Sequence, residues 1–129
     1  MKRKQDHKIL VLTPTNKAAD VLTRKIMGIC STSNEYRDWL VRFGATGDME
    51  IEKSGGYKEK DFDVLSLNRN VVITTIARFP YDYFIGKNDR RVFLSNMKWD
   101  YIVFDEASMI ALANIIYPIY KSKPKKFII

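Results

Sequence analysis

Tyr101-Ile102-Val103-Phe104-Asp105-Glu106-Ala107-Ser108 is the stretch on which the reading of this chain turns. Four apolar residues in succession, rich in aromatic and β-branched types, predict a short strand buried on both faces, as in a parallel sheet. Two adjacent carboxylates follow it directly. They fall at the C-terminal end of a strand, the place where open α/β sheets bind their ligands. Two uses fit the pair: holding a divalent cation and activating a water, or simply closing a strand with an acidic turn.

The same logic applies elsewhere. Ile9-Leu10-Val11-Leu12 is a second continuous apolar run, and it ends in Thr13-Pro14-Thr15-Asn16. Hydroxyls and an amide in such a turn fit the cap of a helix, and equally a phosphodiester oxygen at a helix N-terminus. The spacing of Ala18, Val21, Leu22, Ile26 and Ile29 predicts a helix over 17–29 with these residues on its inner face. Strand, polar turn and helix make the first half of an α/β crossover. Trp39 to Phe43 reads as a short strand ending at Gly44. Val71-Val72-Ile73-Thr74-Thr75 reads as another, from its β-branched run. After it come Arg78, Phe79, Tyr81, Tyr83 and Phe84. With Thr74 and Thr75 these hydroxyls, cation and rings fit contacts to a single strand through phosphates and base stacking, Thr75 and Arg78 foremost, or most of the rings fill core under a loop. Beyond Glu106 a helical pattern places Ile110, Ala113, Ile116, Pro118 and Ile119 toward a core, with Pro118 at an end or kink. Lys121 to Lys126 forms a basic turn, and Phe127-Ile128-Ile129 opens a last strand. A buried parallel strand needs neighbours and a crossover to follow, so Ile129 is expected to be a cut through a larger domain. Residues 44–70, with four glycines among alternating charges, are expected to be an inserted loop or small subdomain with a helical turn near Phe62 to Leu67.

Composition bounds the rest. The chain has 129 residues, 46% hydrophobic and 29% charged, which suits one globular domain and excludes a disordered chain. The apolar runs are far too short to span a bilayer, and Met1 to Asp6 does not read as a secretory leader. The single cysteine, Cys30, excludes an internal disulfide and a zinc finger. An intracellular, cytoplasmic domain is expected. The net charge of +7 is concentrated early: residues 1–30 hold seven basic and two acidic groups. Such an excess favours a polyanion partner, or serves only as a solvated tail. His7 and Cys30 offer no catalytic arrangement, and Ser108 has no histidine near it in sequence to make a nucleophile.

In combination, order and spacing resemble the first motor domain of superfamily 1 helicases, in the branch with Upf-type and RecD-type enzymes. Leu12-Thr13-Pro14-Thr15-Asn16-Lys17-Ala18-Ala19-Asp20 is similar to motif Ia, and Trp99 to Met109, with Asp105-Glu106-Ala107-Ser108, to motif II, the Walker B element. Val71 to Thr75 is similar to the strand with paired threonines before motif II. Lys125 to Ile129 resembles the strand leading into motif III, and Trp39 to Gly44 the Arg-Phe-Gly segment after motif Ia. The resemblance spans most of the chain except roughly 44–70. It implies an incomplete RecA-like P-loop NTPase domain, a mostly parallel sheet with flanking helices. It also implies ATP and Mg²⁺ as cofactors and single-stranded DNA or RNA as partner. Asp105 would hold Mg²⁺, Glu106 would activate water as the catalytic residue, and Ser108 would couple the nucleotide and nucleic-acid sides. Thr13, Pro14, Thr15, Asn16, Thr74, Thr75 and Arg78 would contact the strand.

The sequence departs from the family in lacking Gly-x-x-x-x-Gly-Lys-[Ser/Thr], the Walker A phosphate cradle, which the family places upstream of motif Ia. The second motor domain and its arginine are missing as well. The 129 residues are therefore expected to be inactive as an ATPase by themselves, and to expose sheet edges that favour self-association. A nucleic-acid-binding module without ATPase activity, and a P-loop ATPase that moves no nucleic acid, are the two alternative readings.

Overall fold

A computed structural model describes residues 8–29, 39–44, 57–58, 71–85, 90–106, 108 and 110–129. In chain order the elements are β1 (Ile9–Thr13), α1 (Asn16–Ile29), β2 (Leu40–Phe43), β3 (Tyr57–Lys58), β4 (Val71–Thr75), β5 (Tyr83–Ile85), β6 (Arg91–Phe93), β7 (Tyr101–Phe104), α2 (Leu112–Ser122) and β8 (Lys126–Ile128). A turn of 3₁₀ helix at Leu94–Asn96 separates β6 from β7. The fold is α/β. Six strands form one sheet in the order β3-β2-β4-β1-β7-β8, and every pairing in it is parallel. β5 and β6 form a separate antiparallel ribbon.

Continuous apolar runs became the central strands because both sheet faces are covered. Leu10, Leu12, Val72, Ile102 and Phe104 point to one face, where they pack with Phe79, Leu94, Trp99 and Ile115 of α2. Their alternate neighbours Ile9, Val11, Val71, Ile73 and Val103 point to the other, against Ala19, Leu22 and Ile26 of α1. Period-two alternation thus divides the core in two, with one helix on each face. Trp99 is completely buried and still satisfies its indole, which donates to the Leu94 carbonyl at 2.9 Å.

Both helices are turned from the faces that spacing alone predicts. In α1 the buried residues are Ala19 and Thr23, while Val21 and Ile29 are 46% and 81% exposed. The polar side of the helix faces inward near its start because the buried Arg42 of β2 pairs with Asp20 there. In α2, Ile115, Pro118 and Ser122 are buried and Ile119 is half-buried, whereas Ala113 and Ile116 are exposed. Pro118 does not end the helix, which continues to Ser122. Proline removes the donor to the residue four earlier, and that residue, Asn114, is exposed, so the missing bond does not fall in the core. The helix stops at Lys123 instead, in a left-handed conformation (φ 44°) whose N–H caps the Ile119 carbonyl at 2.9 Å.

Two expectations fall largely beyond what is described. Of 44–70, only Gly44 and Tyr57–Lys58 are described, the latter as β3 beside β2; the helical turn near Phe62 to Leu67 lies outside the described residues. Lys2 to Lys4, His7 and Cys30 lie outside them too. At one sheet edge β8 exposes all its residues, with Phe127 and Ile128 about half accessible at 48% and 57%. Among the described residues no helix is long and apolar enough to cross a membrane.

Candidate functional site

The strand order contains a switch point. From β1 the chain crosses through α1 to β2, on the β4 side of the sheet; from β7 it crosses through α2 to β8, in the opposite direction. Right-handed crossovers that diverge in this way put their helices on opposite faces and leave a crevice between the two strand ends. The C-terminal ends of β1 and β7 are therefore the position of choice for a ligand. They carry Thr13-Pro14-Thr15-Asn16 and Asp105-Glu106, which the fold brings side by side.

Backbone bonds tie these exits together. The Leu12 carbonyl accepts from the Asp105 N–H at 2.9 Å, and the Thr13 carbonyl accepts from the Ile76 N–H at 2.8 Å. The ends of β7, β1 and β4 thus form one rigid rim.

On the β1 exit the residues divide their labour. Thr13 is fully buried, and its hydroxyl donates to the Thr15 carbonyl at 2.9 Å, shaping the turn from within. Pro14 follows, its ring fixing φ through the bend. Thr15 is exposed and is the cap of α1: its Oγ1 accepts from the Ala18 N–H at 3.0 Å, and its carbonyl accepts the first helical bond from Ala19 at 3.1 Å. Asn16 and Lys17 are exposed at the helix head.

Beneath this turn lies Arg42, with no accessible surface. Its Nε donates to Asp20 Oδ1 at 2.9 Å, and its Nη1 to the Phe43 carbonyl at 2.7 Å. Its Nη2 reaches the Asn16 carbonyl at 3.4 Å and Asn16 Oδ1 at 3.3 Å. A guanidinium fork spreads its donors in one plane, so a single side chain fixes the first turn of α1 to β2. A charge this deep persists only when paired and hydrogen-bonded, as here. Sequence reasoning used Arg42 only as part of a segment after motif Ia and gave it no role. The available signal was a lone cation inside the apolar run Leu40-Val41-Arg42-Phe43.

The β4 exit is occupied with itself. Thr74 is fully buried and its hydroxyl donates to Asp82 Oδ2 at 3.2 Å. Thr75 is 4% exposed and its Oγ1 accepts from the Arg78 N–H at 3.3 Å. Arg78 grips Asp82 with Nε and Nη2 at 2.8–3.1 Å, its side chain 31% exposed. Its guanidinium also covers Gly44, where φ is +110° and a Cβ would come within 3.0 Å of Nη1. Of these three sequence candidates, only Arg78 keeps an accessible side chain.

On the β7 exit, Asp105 is half-buried, while Glu106 and Ser108 are exposed. Glu106 adopts φ 53°, a left-handed conformation that costs a non-glycine residue about 1–2 kcal/mol. Strain of this kind concentrates at functional sites. No three His, Cys, Asp or Glu side chains gather as a metal site among the described residues.

Compared with family models, curated proteins and solved structures, the chain matches none of them.

Proposed function

We propose that the chain is the internal part of the first RecA-like motor domain of a superfamily 1 helicase. In that reading, ATP hydrolysis drives movement along single-stranded DNA or RNA in the cytoplasm. The observation that carries the proposal is the switch point: a hydroxyl- and amide-bearing turn at a helix head on one side, and an Asp-Glu pair on the other. Each has the chemistry its motif needs.

Asp105 alone offers one half-buried carboxylate. That suits Mg²⁺, which keeps several waters and takes its remaining ligands from nucleotide phosphates, better than a cation needing an all-protein cage. Mg²⁺-ATP, when bound, supplies the phosphoryl group that passes to water. Glu106, exposed beside Asp105, would orient that water and take its proton. Thr15 and Asn16 present polar atoms at the head of α1 toward a phosphodiester, with Thr13 and Pro14 holding the turn. Thr74 and Thr75 act from beneath, bracing Asp82 and Arg78, while Arg78 keeps surface for a phosphate. Ser108, exposed two residues past Glu106, would connect the two sides. The Walker A cradle is not among these residues, so nucleotide turnover belongs to a protein that supplies it.

The test is direct. The purified 129-residue chain should bind labelled single-stranded oligonucleotides with an affinity that falls as salt rises, and should not turn over Mg²⁺-ATP. Thr15→Ala should weaken binding several-fold, whereas Glu106→Gln should leave it unchanged. Failure to bind single-stranded DNA or RNA at low salt overturns the helicase reading. ATP turnover by the chain that disappears in Glu106→Gln would instead place the phosphate cradle elsewhere in these residues.

A further inference from the structure

One face of the β5–β6 ribbon gathers two aromatic rings and a guanidinium. Tyr83 stands opposite Phe93, and Arg91 opposite Ile85. Val92 packs against the main core. By the alternation of side chains along a strand, Arg91, Phe93 and the cross-strand partner Tyr83 share the opposite side. There the Tyr83 and Phe93 rings lie 5.4 Å apart, and the Arg91 guanidinium sits 4.9 Å from the Tyr83 ring centre. Both rings are half-buried and Arg91 is exposed.

A third ring stands just ahead of them. Tyr81 is 77% exposed, yet its backbone is fixed. Its N–H donates to the Arg78 carbonyl at 2.9 Å, and the next residue, Asp82, is buried and gripped by Thr74 and Arg78. Arg90 adds a second exposed cation. Asp82, the one carboxylate among the described residues of 81–93, is turned inward and paired with Arg78.

We propose that Tyr81 and the Tyr83–Phe93–Arg91 face form a stacking platform for the bases of a single strand. The inference rests on the nucleic-acid reading given above and extends it to a second surface. The exposed Tyr81 ring and two half-buried rings, beside the exposed guanidinium groups of Arg90 and Arg91 and with no outward carboxylate among the described residues of 81–93, match unpaired bases joined by phosphates, because every base offers a face and every linkage a negative charge. A duplex keeps its bases stacked on one another and has no face to lend. Position supports the assignment: the platform follows directly from the β4 exit, which the Ile76 N–H ties to the Thr13 carbonyl at the head of the candidate site. A strand crossing Thr15 and Asn16 can therefore continue past Arg78 to Tyr81.

Fluorescence anisotropy with the full chain tests this, using two probes of equal length and charge: oligo(dT) and an oligomer of abasic tetrahydrofuran units. The platform predicts that oligo(dT) binds at least about tenfold more tightly than the abasic strand. Tyr81→Ala, at an exposed position whose loss leaves the core intact, should remove most of that preference while leaving abasic binding unchanged. Arg91→Gln should weaken both probes and lower the salt slope by about one. Equal binding of the two probes by the wild-type chain, or an unaltered preference in Tyr81→Ala, overturns the platform and leaves the proposed function standing. Absence of binding to both probes overturns the two together.

Discussion

The two ends of the parallel sheet are built on opposite principles. At the N-terminal end Asp100 closes the structure. Its carboxylate accepts from the Lys8 N–H at 2.8 Å, its own N–H donates to the Lys8 carbonyl at 2.8 Å, and its carbonyl accepts from the Lys125 N–H at 2.9 Å. One residue thereby joins the starts of β1, β7 and β8. At the C-terminal end Thr15, Asn16, Lys17, Glu106 and Ser108 face solvent, Glu106 is held in a left-handed backbone conformation, and the buried Arg42 supports the turn from below. One end spends its polar atoms on the chain; the other offers them outward. Stability and binding are therefore expected to respond to different residues.

That separation is tested hardest at Arg42, which belongs to the open end but acts as structure. Arg42→Ala removes the cation facing Asp20 and the donors to Asn16 and Phe43, and should cost about 3–5 kcal/mol in urea denaturation. Arg42→Met combined with Asp20→Leu should recover much of the loss, since a matched apolar pair leaves no charge buried. A cost below about 1 kcal/mol for the single substitution would mean that the fork is idle. At the closed end, Asp100→Ala should lower stability by about 1–3 kcal/mol while leaving oligonucleotide affinity unchanged at temperatures well below the melting point. A parallel loss of affinity would erase the distinction between the ends. The smallest effect has the opposite sign. Glu106→Gly relaxes the left-handed residue and should raise the melting temperature slightly, by up to about 1 kcal/mol in stability. No gain would show that the surroundings, not the side chain, set that backbone angle.

How much of this was legible follows from how the information is carried. The strands β1, β4 and β7 stood out because burial on both faces requires uninterrupted apolar runs, and such runs are local. The rotation of α1 was not local. Ala19 and Thr23 are inside and Val21 outside because Asp20 meets an arginine far along the chain, a pairing that periodicity cannot contain. The β5–β6 ribbon was missed because each strand has only three residues, although Gly86-Lys87-Asn88-Asp89 between them is a turn-forming string. In the candidate site, the positions of Thr13 to Asn16 and of Asp105-Glu106 followed from the ends of recognisable strands. The burial of Thr74 and Thr75 did not, since their partner Asp82 lies in the turn beyond.

The pairing of β1 has a consequence for how the molecule assembles. Ile9 lies beside Val71 on one side and Tyr101 on the other. The middle of the sheet is thus the first strand in chain order, and both neighbours arrive much later. Closing such long loops is paid in chain entropy before any ladder bond rewards it, so parallel sheets of this kind fold slowly. During synthesis Ile9 to Leu12 would wait, apolar and unpaired, while α1 and β2 form. Refolding should accordingly show its slowest phase in the protection of the β1 amides, with the α1 signal appearing earlier.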